Sequence, residues 1–474
     1  MEKYFEYFYD ISSIPHGSGN TKKISDYLFC FAKERNLYVR QDEFNNIVIV
    51  KEASAGYEDH EAVILQGHMD MVTVKTSNCT KDMLNEGLDI YIENDFLKAK
   101  ETSLGGDDGI AVAYILAILD GDYKTPKIEA VFTVDEEIGM LGATNLNVSD
   151  ITGKRLINLD QEEEGIFIVG CAGGVRMNIS LPVNKLISQG SIYDISVTNL
   201  KGGHSGIDIN KNRGNAIIIL ANELKKLYSK VKFNLIQIDG GVADNAIPNE
   251  ALAKIQLKDN YDNALFEKEI LKLNGQDMYF GDDKDYDQAI VNVSKNGYDS
   301  MIILDDESTD KTLAFLNELP YGVVAMSEDI NDMVETSINT GIVKSKEESI
   351  DVAISIRSSI KSAKDEQIFK LCKVANVYGA KYELKGDYPG WSYEKDSELI
   401  DIMTKNYEDM FAKKPEIQII HAGLECGIFK EKINGLQCIS IGPDILDIHS
   451  VNERLPIASA DRCFNYLVKC LESL

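Results

Sequence analysis

The chain has 474 residues, enough for two to four domains at roughly 100–200 residues each, and 44% of them are hydrophobic, ample for packed cores. Acidic residues outnumber basic ones 77 to 49, and the formal charge of −28 opposes phosphate backbones and anionic headgroups, which disfavours nucleic-acid and membrane partners. The amino terminus MEKYFEYFYD lacks a basic flank before an apolar core, and no run of about 18 apolar residues occurs, so a cytoplasmic location is predicted.

In chain order, EAVILQ (61–66) reads as a buried strand. It is followed by GHMD, in which His68 and Asp70, two residues apart in extended chain, leave on the same face. SLGGDDG (103–109) opens IAVAYILAILDG (110–121), apolar nearly all round as a helix packed on a sheet would be. Asp108 reads there as the helix N-cap, leaving Asp107 free to point away. IEAVFTV (128–134) is a second buried strand, with Glu136 and Glu137 directly after it in DEEIGMLGA. RLINL (155–159) is a third, followed by Asp160, while the acids at 162–164 read as solvated surface.

From about Gly190 the texture changes to alternating strands, IYDISVTN (192–199), ALAKIQLKD (251–259) and SIDVAISIRSSI (349–360), separated by amphipathic helices over 215–230 and 365–379. After YPGW (388–391) the first texture returns: a helix near 395–412, a strand at QCISIG (437–442), then IGPDILDIHS with His449, and a last helix from about 459. The predicted fold is α/β, a mixed and largely parallel sheet interrupted by an inserted α+β domain. The expected parts are 1–187 and 388–474 for the first domain and 188–387 for the insertion. Eight scattered cysteines without a CxxC pair read as reduced, mostly buried side chains.

Ligands of open α/β sheets bind at the carboxyl ends of strands. His68, Asp70, Asp107, Glu136, Glu137, Asp160 and His449 fall at such ends or in adjoining loops. Several buried acids beside two imidazoles cost several kcal/mol unless a cation compensates them. The set suits zinc or a similar divalent ion, with oxygens enough for two ions about 3.5–4 Å apart sharing one carboxylate.

LQGHMDMV, TSLGGDDGIAVA, DEEIGMLGA, LINLDQEEEG, KGGHSGIDI, HAGLECGIF and IGPDILDIHS, in this order, resemble the aminoacyl-histidine dipeptidase (Xaa-His dipeptidase) family of co-catalytic two-zinc metallopeptidases. The resemblance implies a zinc-peptidase catalytic domain of the phosphorylase/hydrolase-like type with an inserted lid. It implies two zinc ions per subunit, replaceable by manganese or cobalt. Asp107 would bridge them, with His68 and Asp160 on one ion and Glu137 and His449 on the other. Asp70 would orient His68, and Glu136 would be the general base. His204 in GGHSG would stabilise the oxyanion, typically from the neighbouring subunit of a homodimer, and Arg357 would grip a substrate carboxylate. Asn245, Gly423 and His421 would lie on the substrate side, with Glu425 near the site.

Two departures from the family pattern stand out: Asn210 where a further histidine is common, and Asp108 where Asp-Asn-Gly is usual. The expected activity is hydrolysis of unblocked dipeptides, extending to Xaa-His and β-alanyl-histidine. The alternatives are a tripeptide aminopeptidase or an N-acyl-amino-acid deacylase, and, outside enzymes, an inactive metal-binding scaffold.

Overall fold

The computed structural model of the protein describes residues 2–259, 261, 263–281 and 286–474. The chain divides into two compact units, one of residues 1–171, 391–419 and 424–474, the other of residues 172–390 and 420–423.

The first unit is built on an eight-stranded sheet. Its centre is four parallel strands in the order Ile128–Thr133, Val63–His68, Arg155–Asn158 and Gln437–Ser440. Antiparallel partners flank them: Ile47–Lys51 and Tyr38–Gln41 on one side, Ile166–Cys171 on the other. The sheet is therefore mixed, with antiparallel strands beside a parallel centre. Val63–His68 and Ile128–Thr133 are buried along their whole length, which explains why they read as continuous apolar runs rather than as alternation.

The helix Gly106–Asp120 packs on this sheet with residues 106–119 buried. Tyr114 at its middle satisfies its hydroxyl by donating to the Ala460 carbonyl at 2.7 Å, and its ring packs edge-on against Tyr4 and beside Phe464. The amphipathic helix Ile457–Leu471 supplies Phe464 and covers the same face.

The second unit holds a sheet of ten strands, antiparallel in every pairing described. Its longest antiparallel pair joins Lys185–Thr198 to Asp287–Leu304, and Val334–Ser345, Ser349–Ser358 and Gly173–Pro182 lie side by side further along. The helices Ala216–Lys230, Asn263–Leu273, Asp306–Asn317 and Lys361–Val377 contribute buried apolar residues to one core with the inward residues of these strands. Asn215 caps the first of them, its side chain accepting from the N–H groups of Ile217 and Ile218. All eight cysteines are free thiols, five of them buried. Among the described residues, no helix is long and apolar enough to cross a membrane.

Candidate metal centre

Parallel strands deliver their carboxyl ends to one edge of a sheet, and four loops meet there. His68 ends the strand Val63–His68 and is 1% exposed. Its Nδ1 lies 3.0 Å from the main-chain oxygen of Asp70, closer than the 3.5 Å to that residue's carboxylate, so the Asp70 carbonyl fixes the ring. That leaves Nε2 facing Asp107 Oδ1 at 3.0 Å and Asp160 Oδ1 at 3.4 Å. The other Asp107 oxygen, Oδ2, stands 3.1 Å from His449 Nε2, which also meets Glu137 Oε1 at 2.8 Å. Asp107 thus offers one oxygen to each imidazole.

The adjacent acids of the loop after Thr133 divide. Glu137 is taken by His449, whereas the Glu136 carboxylate makes no hydrogen bond among the described residues and only its backbone N–H is tied, to Asp70 Oδ1 at 3.0 Å. Asp70 is itself held by the Ser18 hydroxyl at 2.9 Å. Ser18 lies in IPHGSGN, ahead of the first strand.

Asp108 is not the helix cap that the sequence suggests. The backbone is not yet helical at Asp107 and Asp108, and the Asp108 carboxylate, rather than capping the helix, accepts the His68 N–H at 3.1 Å. Gly67 permits this approach, because a Cβ there would stand 2.7 Å from Asp108 Oδ2. The helix start is held by a residue the sequence reading passed over. Glu453, 3% exposed, accepts from Leu104 N at 2.8 Å and Gly105 N at 3.1 Å with Oε2, and from Gly106 N at 2.8 Å and Asp107 N at 3.4 Å with Oε1.

The acids at 162–164 also depart from a plain solvated run. Glu164 bonds to Arg462 and Ser459, and only Glu163 is exposed. Burial, reinforced by Asp107 and Asp160, pushes Glu162 up to about 8.

Whether these residues fit a cation is decided by charge and spacing. Burial raises Asp160 to about 6 despite the pull of His68. Burial also raises Glu136 well above the usual range, where Asp160, Glu425 and Glu137 add to it against His68. Burial disfavours the charged form of His68, yet Asp160, Asp107 and Asp70 outweigh it and hold the ring well above its ordinary value. Hydrogen bonds to Asp107 and Glu137 lift His449 to about 10. No lysine or arginine pairs with Asp107, Glu136, Glu137 or Asp160 among the described residues, so the site is an excess of negative charge. Ligand atoms of His68, Asp107 and Glu137 lie within 4.8 Å of one another, as do those of His68, Asp108 and Asp160. Ligands on a tetrahedral zinc at 2.0–2.1 Å stand about 3.4 Å apart, close to the separations seen. The residues fit a divalent cation.

A pH dependence follows. Imidazoles with raised values stabilise the metal-free fold fully below their unfolded value near 6.5, and that contribution is lost as pH rises through the folded value. A cation needs them neutral and displaces their protons. Cation affinity is therefore expected to increase from pH 6 to pH 8 with net proton release, read by calorimetric titration in buffers of different ionisation heat. Binding that releases no protons at pH 7 would contradict the geometry.

The second unit gathers the remaining candidates. The short pairing of Gly203–His204 with Ala246–Ile247 puts His204 beside Asn245, whose carbonyl accepts the Ser205 N–H at 2.8 Å. His204 Nδ1 accepts from Gly206 and Ile207 at 3.2 and 3.3 Å, so the neutral ring carries its proton on Nε2. Burial and the Arg357 charge keep that ring below its ordinary value. His421 Nε2 is 2.7 Å from the Ser337 hydroxyl, and burial with Arg357 lowers it to about 3. Arg357 is 9% exposed; its Nη1 donates to the Tyr388 hydroxyl at 3.1 Å, and its Nε has no acceptor among the described residues. Gly423 closes the short segment 420–423 that joins this unit. Asn339, absent from the sequence reading, ties the Asp244 and Ala246 carbonyls together. Glu425 lies in the first unit, fully buried, accepting from Gln66 and Thr133. Asn210 lies in a short 3-10 turn.

Known proteins resemble this chain over nearly its whole length. The chain is 34% identical, over 99% of its length and 97% of the other, to the cytosol non-specific dipeptidase of Escherichia coli (strain K12). The crystal structure of aminoacylhistidine dipeptidase from Vibrio alginolyticus superposes with a TM-score of 0.90 at 33% identity, covering 100% of this chain and 96% of that one. An aminopeptidase from Bacillus cereus, at 15% identity and a TM-score of 0.56 over 99% and 97% of the two chains, shares the fold. The pattern of peptidase family M20/M25/M40 matches residues 64–473, and with a catalytic-type sheet edge crowded by acids and imidazoles, the chain belongs to that family.

Proposed function

We propose that this peptidase hydrolyses unblocked dipeptides, Xaa-His among them, with two zinc ions held by His68, Asp107, Glu137, Asp160 and His449. The observation that carries the reading is the placement of Asp107, with one carboxylate oxygen toward His68 and the other toward His449, as a bridging ligand requires. Zinc bound there supplies Lewis acidity and lowers the pKa of a coordinated water from 15.7 to about 7. Manganese or cobalt would serve in its place.

The chain's own residues supply the rest. Glu136, unbonded and of raised proton affinity, takes the proton of the attacking water and returns it to the leaving amine. Asp70 holds His68 through its carbonyl and the Glu136 backbone through its carboxylate, so it sets base and ligand together. In the second unit, which we read as the lid and dimerisation domain, the unpaired Nε of buried Arg357 is a donor waiting for an anion, and a free dipeptide has a terminal carboxylate to offer. The Nε2–H of neutral His204 suits a developing oxyanion, supplied across a homodimer. Asn245, His421 and Gly423 complete the substrate side. The name of the E. coli relative supports a cytosolic setting.

The test is a panel of free dipeptides, tripeptides and N-acylated amino acids presented to the zinc-loaded protein. Dipeptides are expected to have the highest kcat/KM, and Arg357→Lys to raise KM for dipeptides more than it lowers kcat, because the planar fork is lost while the charge stays. Faster cleavage of the N-acylated amino acids than of any dipeptide would overturn the substrate assignment.

A further inference from the structure

His449 and Glu453 sit on one loop. The loop is closed at its base by Leu446 and Arg454, whose backbones exchange hydrogen bonds of 2.9 and 3.0 Å, and Arg454–Pro456 continues as a strand paired with Phe96–Ala99. The tip carries His449, held at φ +57°, a backbone region a non-glycine residue keeps only when its surroundings impose it. The base carries Glu453, whose two oxygens receive the four successive N–H groups from Leu104 to Asp107. A carboxylate is acceptor-only with about four lone-pair sites, which matches this row of donors. No lysine or arginine pairs with Glu453 among the described residues. The acid is committed to this backbone.

Asp107 is the last residue of that row, and its own carboxylate spans His68 and His449. A shift of the Glu453 carboxylate would therefore move the Asp107 backbone, while the same loop sets the position of His449. We propose that Glu453 is a positioning residue for the metal centre, fixing the Asp107 carboxylate against both imidazoles and so setting the zinc affinity of both halves of the site. The inference rests on Asp107 being the bridging ligand.

The carboxylate of Glu453 cannot be replaced by an amide of the same size, since one oxygen would become an N–H₂ pointing at two N–H donors. Aspartate keeps the acceptors and lacks one methylene of reach. The experiment measures zinc affinity of the metal-free full-length chain by competition with a chromogenic chelator, together with thermal melting, for Glu453→Gln, Glu453→Asp, Asp107→Asn and Glu129→Gln. Glu129 is the control: it is 1% exposed and holds Thr152 and Gly153 N–H groups from the opposite end of the strand Ile128–Thr133.

Glu453→Gln is expected to bind zinc about 10–100-fold more weakly, with Glu453→Asp between it and the wild type, the range found when partners that orient metal ligands are lost. Glu129→Gln is expected to melt earlier and bind zinc as the wild type does. The proposal is overturned if both folded Glu453 variants bind zinc like the wild type, or if Glu129→Gln weakens zinc equally, since that would make the effect one of general stability. Should Glu453→Gln not fold, the Glu453→Asp affinity decides alone. Unchanged affinity in Asp107→Asn would remove the bridging role itself, a failure distinct from that of Glu453.

Discussion

Stripped of divalent cations by a chelator and dialysis, the protein is expected to lose dipeptide hydrolysis to background and to regain it when zinc is restored to two ions per chain. The reason lies in what its own side chains do when no cation compensates them. Asp107 then takes hydrogen bonds from both His68 and His449, and those rings carry protons on the Nε2 atoms that would otherwise be ligands. Asp160 and Glu162, raised to about 6 and about 8, hold protons over part of the neutral range as well. The centre closes on itself as a hydrogen-bonded cluster with no group able to ionise a water near pH 7. Metal content measured by elemental analysis beside initial rates gives the readout. A chain shown to be metal-free that still cleaves dipeptides at an undiminished rate would end the metallopeptidase mechanism proposed for it.

Replacing Glu136 by glutamine is expected to lower kcat by the 10²–10⁴-fold typical of a lost general base, about 3–5 kcal/mol of barrier, while both zinc ions stay bound. The separation of the two effects comes from the neighbouring pair. Glu137 is engaged with His449, whereas the Glu136 side chain makes no hydrogen bond among the described residues, so an isosteric amide at 136 is expected to leave the ligand cluster untouched. Near-normal turnover in Glu136→Gln would reassign the base. The same variant tests the homodimer proposed above. His204→Ala subunits, expected to be slower by about 10²–10³-fold, should regain activity when mixed with Glu136→Gln subunits if the histidine acts across the interface. Hybrids no faster than either parent would confine it to its own chain.

The parallel centre of the sheet was legible because strands buried on both faces show as unbroken apolar runs, and the residues after such runs are few and chemically distinctive. His68, Asp160 and the pair Glu136 and Glu137 each follow one of them, and the structure brings them together with Asp107 and His449. Local pattern failed where the partner is remote in sequence. Asp108 reads as a helix cap by its position, but Glu453, far along the chain, takes the N–H groups of the turn ahead of it while the Asp108 carboxylate goes to the backbone of His68. Glu453 itself lies in SVNER, a stretch with the composition of any surface loop. Its only signal is its closeness to His449. Gly173–Pro182 shows a related effect: its burial alternates along GGVRMNISLP as an antiparallel strand with one open face, and it belongs to the sheet of the second unit.

The sheet order carries a consequence for biosynthesis. Gln437–Ser440 lies between Arg155–Asn158 and Ile166–Cys171, two strands made almost together, and it is followed by the loop bearing His449. A nascent chain emerging from the ribosome must keep that slot vacant while the residues from 172 to 436 are translated. With the ligand set proposed above, hydrolytic competence is therefore expected only once residues 437–449 have been made, and fragments ending before them should be inert.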